Sequence, residues 1–266
     1  MINLIRLVFI DIITIVLNFK HIRKDRIGPF LFYKYVQKPD VSRKELAALH
    51  YNIINFELFK PDFITNLLKK YWIEYRYYLE VEKHLGPVKN QKVLDIGCGY
   101  TSILNFFSGK NKYGVDIIIP HLIERGFPLD ESSKWIQGRA ELLPFKEHFF
   151  DIVITSNALD HVDSPKVAID EASRILKSGG FFVFCVDVFD EDKGKRDVQH
   201  PFSFTEKQLF ADIQDDFEMI FSAYDHTGTG FKTFFLNHTG YFIEKIINRK
   251  HKSHAKRKIS LVLRKK

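Results

Sequence analysis

Short apolar segments alternate with helix-like segments over residues 91–224, and this alternation constrains the fold more than any other feature of the 266-residue chain. A strand–helix–strand order of this kind is typical of an α/β protein with a parallel sheet. The strands are predicted at residues 92–96, 112–116, 134–136, 151–155, 181–186 and 217–224. Residues 258–264 alternate in polarity and predict one further, half-buried strand.

Capping signals divide the rest of the chain. Ser164 and Pro165 mark the start of a helix that the segment 177–180 ends, and Thr205 is predicted to cap another. Residues 1–88 predict helices. Ser42 is predicted to cap one helix, and Pro61 is predicted to open the next. We therefore expect an N-terminal helical extension over 1–88 and a main domain over 89–266, with an insertion at 225–257 before the last strand.

The net charge of +7 is concentrated at one end of the chain. Ten basic residues and no acidic one lie between Lys245 and Lys266, which leaves 30 basic and 33 acidic residues in the remainder. Such a tail can pair with phosphates of a lipid or of a nucleic acid, and it can equally be a solvated loop. The main body, at −3, carries no general signal for nucleic-acid binding.

The first nineteen residues are mostly apolar but contain Arg6 and Asp11, and basic residues follow them. No small-residue cleavage site follows, so a signal peptide is not expected. Asp11 at the centre of a bilayer would cost about 2.5–3.5 kcal/mol, which favours a helix lying on an anionic membrane surface over one that spans it. A helix packed on the domain is the alternative. Two cysteines give no disulfide framework, so we expect a cytoplasmic protein, peripheral at the membrane if residues 1–19 bind there.

A glycine turn follows the first predicted strand, in the segment Asp95-Ile-Gly97-Cys-Gly99. Glycines allow a ligand to approach the backbone closely, and a helix that starts there would offer free amides to a carboxylate or phosphate. Asp95 at the strand tip is suited to accept a hydrogen bond from a ligand ammonium. The dinucleotide pattern G-x-G-x-x-G/A is incomplete, because Ser102 stands at its third position.

Further motifs follow in a fixed order: A-E-L-L-P-F at 140–145, F-D-I-V at 150–153 and L-K-S-G-G at 176–180. Together with D-I-G-C-G at 95–99 they resemble the class I S-adenosylmethionine-dependent methyltransferases, whose motifs read roughly D-x-G-C-G, A-E-x-L-P-F, F-D-x-V and L-K-x-G-G. The resemblance covers residues 91–187 and extends towards the last strand. It carries little information on the methyl acceptor.

The resemblance implies a Rossmann-like, seven-stranded, mostly parallel sheet whose last strand is antiparallel, with S-adenosylmethionine across the strand tips. It implies that Asp95, Gly97 and Gly99 hold the methionyl part and that Asp116 holds the ribose. The residues implied around the adenine and the sulfonium are Ile117, Ala140, Glu141 and Leu142 for the adenine and Asn157 for the sulfonium. The chain departs from the pattern at Thr101, in the turn, and at Arg139, where the family often has an acid that accepts a hydrogen bond from the adenine amine. Glu141 is the alternative acceptor for that amine.

Methyl transfer requires an aligned nucleophile, and a general base only when the acceptor arrives protonated. His161, beside Asp160, and His200 are the candidate catalytic residues, and each has a purely structural alternative. The acidic cluster 187–192 is predicted to be an exposed loop, and no metal site is expected.

These features predict methyl transfer to an oxygen or nitrogen atom of a small-molecule, lipid or saccharide acceptor. The apolar first helix and the basic tail favour an acceptor linked to an anionic membrane surface. Two alternatives stay open: an RNA methyltransferase that uses the basic tail, which the −3 charge of the main body disfavours, and a non-catalytic membrane or assembly factor on the same fold.

Overall fold

The structure is a computed structural model, and it describes residues 20, 22–23, 60–74, 83–191, 201–225 and 257–266. Several sequence predictions fall outside these ranges. They are the helix at 1–19, the cap at Ser42, His200 and almost all of the 225–257 insertion.

The described residues form one eight-stranded sheet. Its strands are β1 (Val93–Ile96), β2 (Lys112–Val115), β3 (Ser133–Ile136), β4 (Phe150–Ser156), β5 (Leu176–Phe189), β6 (Phe204–Thr205), β7 (Phe217–Asp225) and β8 (Arg257–Lys265). The order across the sheet is β3-β2-β1-β4-β5-β8-β7, and the short β6 pairs with β5 outside this path. β8 is antiparallel to both of its neighbours, while the pairs among β1 to β5 are parallel. The mostly parallel α/β fold with an antiparallel last strand is thus confirmed, and the short β6 is an eighth strand beside the seven that the resemblance implies.

The described part of the chain includes four helices and two 3-10 turns with defined bounds. The helices are α1 (Pro61–Glu74), α2 (Ile119–Glu124), α3 (Pro165–Ile175) and α4 (Glu206–Ile213), and the 3-10 turns are Ile103–Asn105 and Leu159–His161. Thr205 caps α4 as predicted, since its side chain accepts a hydrogen bond from the amide of Gln208. None of these helices is long and apolar enough to cross a membrane.

α3 ends at Ile175, next to the segment 177–180 that is predicted to end it, and β5 begins directly at Leu176 and includes that segment. The prediction that the Ser164 side chain caps α3 is wrong. Ser164 occupies the cap position of α3, but its side chain makes no capping hydrogen bond. The cap is supplied from elsewhere in the chain, by Glu141, as described below.

The sheet is buried on both faces. Leu94, Phe150 and Phe182 belong to the core on one face, and Val93 and Ile154 belong to the core on the other. Burial of both faces explains the continuous apolar runs of the central strands, all four residues of β1 being buried. Each fully buried leucine or phenylalanine contributes about 1.5–3 kcal/mol of transfer free energy.

The topology brings distant segments to one edge of the sheet. Strands β1 to β5 end at this edge, and β7 ends there as well, since it is antiparallel to β8. β8 runs the other way and therefore starts there, with Lys258 opposite Asp187 of β5. This edge, called here the carboxyl edge, holds the glycine turn, Asp116 and Asn157. In open α/β sheets it is the usual place for a ligand.

Candidate functional site

The glycine turn after β1 needs glycine at two positions. Gly97 and Gly99 have φ angles of +65° and +51°, in the left-handed region that other residues adopt at a cost. At Gly97 the space is also closed, because a Cβ atom would lie 2.4 Å from Cβ of Ala158. At Gly99 it is open, since a Cβ atom would have no neighbour among the described residues within 4 Å. The turn thus packs tightly at its first glycine and leaves room at its second.

Asp95 lies buried at the end of β1, with only 2% of its surface exposed. Its Oδ2 atom accepts hydrogen bonds from Oγ of Ser102 at 2.7 Å and from the amide of Ile103 at 3.2 Å. Burial is the main cause that raises the pKa of Asp95 to about 7, and the charge of Asp116 adds to it. Asp95 therefore holds the turn together and is also poised to gain a proton.

The prediction that a helix opens directly after the glycine turn is wrong. The turn leads into the short 3-10 turn Ile103–Asn105, and Oγ of Ser102 accepts from the amide of Leu104 at 3.2 Å. Asp95 and Ser102 consume the amides of Ile103 and Leu104 internally. These amides are not free for a ligand, so binding at this edge depends on the carboxylates and on the glycine backbone.

Asp116 follows β2 and faces the same turn. Its Oδ2 atom accepts from the amide of Gly99 at 2.8 Å, and its Oδ1 atom accepts from the amide of Ile118 at 3.0 Å. Burial raises the pKa of Asp116, although these hydrogen bonds and the nearby His161 act in the opposite direction. Cys98 is buried beside both aspartates, and burial together with their charges raises the pKa of its thiol. Two carboxylates thus share one small region at the carboxyl edge.

The residues implied for the adenine occupy different environments. Ala140 is buried, Ile117 is half-buried, and Leu142 has 78% of its surface exposed. The Glu141 carboxylate is engaged elsewhere, because its Oε1 atom accepts from the amides of Asp163 at 2.6 Å and Ser164 at 3.2 Å. A carboxylate at the start of a helix satisfies its unpaired amides and complements its dipole, so Glu141 caps α3.

Arg139, the departure noted in the sequence, also points to α3. Its Nη1 atom donates to Oδ2 of Asp163 at 3.0 Å, and both side chains are more than half exposed. Neither Arg139 nor Glu141 is thus a ready acceptor for an adenine amine, which leaves backbone groups and apolar contact for that part of a nucleoside.

Asn157 follows β4 in the left-handed conformation, with a φ of +55°. Its amide donates to the carbonyl of Cys185 at 2.9 Å, and its Oδ1 atom accepts from Nζ of Lys258 at 2.8 Å. Sequence reasoning missed Lys258. The signal was available, because an antiparallel last strand has to begin at the carboxyl edge.

His161 lies in the 3-10 turn after β4, and its side chain is 39% exposed. Its Nε2 atom is 3.7 Å from Oδ1 of the buried Asp160, and its positive charge lowers the pKa of Asp116. The histidine therefore lies near the carboxylates of Asp160 and Asp116, and its side chain is partly exposed to solvent.

The middle of the chain matches a known family. A family model described as a methyltransferase domain matches residues 94–184. An uncharacterized protein of Methanocaldococcus jannaschii, MJ0638, is 31% identical over 167 residues, which cover 61% of this chain and 71% of the relative. A ubiquinone/menaquinone biosynthesis C-methyltransferase of a Ruegeria species is 32% identical over 36% of this chain, and a sarcosine/dimethylglycine N-methyltransferase of Aphanothece halophytica is 29% identical over 41%. The chain spans 42% of the length of each of these two enzymes.

The fold is shared with solved structures. A putative S-adenosylmethionine-dependent methyltransferase of Listeria monocytogenes superposes with a TM-score of 0.51 at 15% identity, covering 71% of this chain and 98% of the other. Fold, motifs and relatives agree. The chain therefore belongs to the class I S-adenosylmethionine-dependent methyltransferases, an enzyme family whose cofactor is S-adenosylmethionine.

The described residues fit this cofactor, which carries an ammonium, a sulfonium and a ribose diol. Asp95 and Asp116 offer carboxylates to cationic and hydroxyl groups. Each oxygen of Asp116 accepts from one amide and has a second lone pair, whereas both described hydrogen bonds to Asp95 end on Oδ2. Gly99 lies between Asp95 and Asp116 in the sequence. No atom of the described residues lies within 4 Å of the place where a Cβ atom of residue 99 would stand.

Proposed function

We propose that this chain transfers a methyl group from S-adenosylmethionine to an oxygen or nitrogen atom of a small-molecule, lipid or saccharide acceptor. The observation that carries the proposal is the pair of carboxylates around the glycine turn, with Oδ2 of Asp116 bonded to the amide of Gly99. Relatives named for small acceptors, among them the sarcosine/dimethylglycine N-methyltransferase, support this class of substrate.

When bound, S-adenosylmethionine supplies a methyl group activated by its positively charged sulfur. In the proposed site Asp95 accepts from the ammonium, Gly97 and Gly99 line the methionyl part, and Asp116 accepts from the ribose hydroxyls. Ile117, Ala140, Glu141 and Leu142 border the adenine through backbone and apolar contact only, because the Glu141 side chain caps α3. Asn157 borders the sulfonium. These residues bind and orient, which is most of what a methyl transfer requires.

His161 is the proposed general base for an acceptor that arrives as a hydroxyl or an ammonium. Its imidazole is partly exposed, and it lies close enough to Asp116 to lower the pKa of that carboxyl. Asp160, 3.7 Å from Nε2, would stabilise the imidazolium after proton transfer. His200, the second candidate from the sequence, keeps the same proposed role as an alternative base.

Acceptor choice is proposed to reside in the insertion 225–257. β7 ends at Asp225 and β8 begins at Arg257, so the chain between them leaves and rejoins the sheet at the carboxyl edge. Replacing this insertion in a protein that still folds should change the acceptor more than the affinity for S-adenosylhomocysteine. An equal loss of both would contradict the assignment.

The proposed acceptor is membrane-linked, because residues 1–19 are apolar and the tail is basic. The full chain should sediment with liposomes that contain anionic lipid, and removal of residues 1–26 should abolish this. Absence of binding at low salt would refute the membrane part of the proposal.

The acceptor itself is tested by a radiolabelled methyl-donor assay on separated lipid, RNA and small-molecule extracts. The proposal expects label in the lipid or small-molecule fraction, lost in Asp116→Ala and reduced in His161→Ala. Label in RNA alone, or label in no fraction, would overturn it.

A further inference from the structure

Lys258 lies at the carboxyl edge although no motif includes it. It is the second residue of β8. Its Nζ atom donates a hydrogen bond at 2.8 Å to Oδ1 of Asn157, which lies 101 residues earlier in the sequence. Oδ1 of Asp187, opposite it on β5, is 3.7 Å from the same nitrogen. The Lys258 side chain is only 20% exposed. Strands β5 and β8 and the segment just after β4 thus contribute one residue each to a polar cluster beside the proposed sulfonium site.

The chemistry of lysine fixes the orientation of the Asn157 amide. An ammonium only donates hydrogen bonds, so the asparagine atom that faces it has to be the carbonyl oxygen. The NH₂ group lies on the other side of Cγ and directs its two donors away from Lys258. The backbone of Asn157 is fixed as well, through its left-handed φ and its bond to Cys185. A molecule bound beside Asn157 therefore meets N–H donors and has to offer an acceptor atom.

Lys258 also sets the charge at this place. Its positive charge faces one carboxylate at 3.7 Å, which is longer than a direct hydrogen bond. Two cations repel each other more strongly in a partly buried site than in water, because the effective dielectric constant there is lower. It therefore disfavours a sulfonium relative to the neutral thioether that remains after methyl transfer.

We infer that Lys258 is a positioning residue of the cofactor site, which orients the Asn157 amide and weakens the preference of the site for the sulfonium over the thioether. The inference rests on the proposed function, since it takes Asn157 as a neighbour of the sulfur. It assigns to Lys258 and Asp187 the electrostatic balance between S-adenosylmethionine and S-adenosylhomocysteine.

Three substitutions separate the two effects. Lys258→Met removes the charge and the donor, Lys258→Gln removes the charge and keeps a donor, and Lys258→Arg keeps both. Lys265→Met is the matched control, because Lys265 is a partly buried lysine at the opposite end of β8 that donates to the carbonyls of Ser173 and Leu176. Calorimetry on each full-length variant gives the dissociation constants of both ligands, and thermal unfolding reports folding.

Lys258→Met should weaken S-adenosylhomocysteine by about 3–10-fold through the lost amide orientation, and it should weaken S-adenosylmethionine less. The ratio of the two dissociation constants, thioether over sulfonium, should therefore rise by about threefold or more. Lys258→Gln should raise the ratio with a smaller overall loss, and Lys258→Arg should restore both affinities. Lys265→Met should lower stability and leave the ratio unchanged. If the methionine variant does not fold, the glutamine variant carries the same comparison.

Coupling to Asn157 completes the test. If Lys258 orients Asn157, the double variant Lys258→Met/Asn157→Ala should bind S-adenosylhomocysteine no more weakly than Asn157→Ala alone. Fully additive losses, or equal losses for both ligands in Lys258→Met, would overturn the inference while the wild-type protein still binds. Absence of binding in the wild-type protein would instead overturn the proposed function and the inference with it.

Discussion

The backbone amide of Gly99 donates a 2.8 Å hydrogen bond to Oδ2 of Asp116 and so joins the turn after β1 to the tip of β2. The left-handed φ of Gly99 directs this amide at the carboxylate, and the amide of Ile118 engages the other oxygen at 3.0 Å. One carboxylate therefore fixes the shape of the turn and remains available, through its second lone pairs, to a ligand.

Replacement of Asp116 by alanine should weaken the binding of S-adenosylhomocysteine by about 1–3 kcal/mol, because two ribose hydroxyls and the Gly99 amide lose their acceptor. Calorimetry measures the change. Asp170→Ala is the control, since Asp170 lies on α3 in an exposed ion pair with Lys166. An unchanged dissociation constant in folded Asp116→Ala would mean that the ribose binds elsewhere.

Alanine at Gly99 should separate backbone strain from ligand space. Gly99 and Gly126 both have positive φ, and a Cβ atom at either would have no neighbour within 4 Å. Each Gly→Ala variant should thus lose about 1–2 kcal/mol of stability. Only Gly99→Ala should also lose affinity for S-adenosylhomocysteine. Equal affinity in the two variants would show that the space over Gly99 is not part of the site.

Alanine at Gly97 should be the most damaging of the glycine substitutions. The new Cβ atom would stand 2.4 Å from Cβ of Ala158, so the turn or the segment after β4 has to shift. Urea unfolding should show a larger loss of stability than in Gly99→Ala. A loss no larger than that one would indicate that the two segments separate easily.

The cap of α3 gives a direct comparison of two side chains. Glu141→Ala should lower the free energy of unfolding by about 0.5–2 kcal/mol, because the amides of Asp163 and Ser164 lose their acceptor. Ser164→Ala should change it much less, because the Ser164 side chain makes no capping bond. A larger loss in Ser164→Ala would restore the cap that the sequence predicts.

Stability should depend on pH through Asp95. Its pKa is about 7 in the folded protein, against the ordinary aspartate value of 3.8 that we take for the unfolded chain. Between these two pH values the folded state therefore binds a proton that the unfolded state does not. The part of the free energy of unfolding that comes from this raised pKa is therefore present at low pH and is lost as the pH rises from about 4 to about 7. Asp95→Asn should flatten this decline in urea unfolding at pH 5 and pH 8. Parallel profiles of variant and wild type would contradict the raised pKa.

Local pattern accounts for what could be predicted from the sequence. The runs that became β1, β2 and β4 and the cap at Thr205 depend on residues close in the chain, and the antiparallel position of β8 came from the family resemblance. The cap by Glu141 and the bond between Lys258 and Asn157 join segments 22 or more residues apart, so they depend on how the elements pack. The 3-10 turn after Gly99 arises likewise from Asp95 and Ser102 competing for the amides that an α-helix would leave free.

The central claim is that a sulfur nucleoside binds at the carboxyl edge between the glycine turn and Asp116. A crystal structure of the full chain with S-adenosylhomocysteine tests it most directly. We expect both ribose hydroxyls within hydrogen-bond distance of the Asp116 carboxylate and the amino-acid part over Gly99. A nucleoside bound elsewhere, or an edge filled by side chains with no nucleoside bound, would contradict the account.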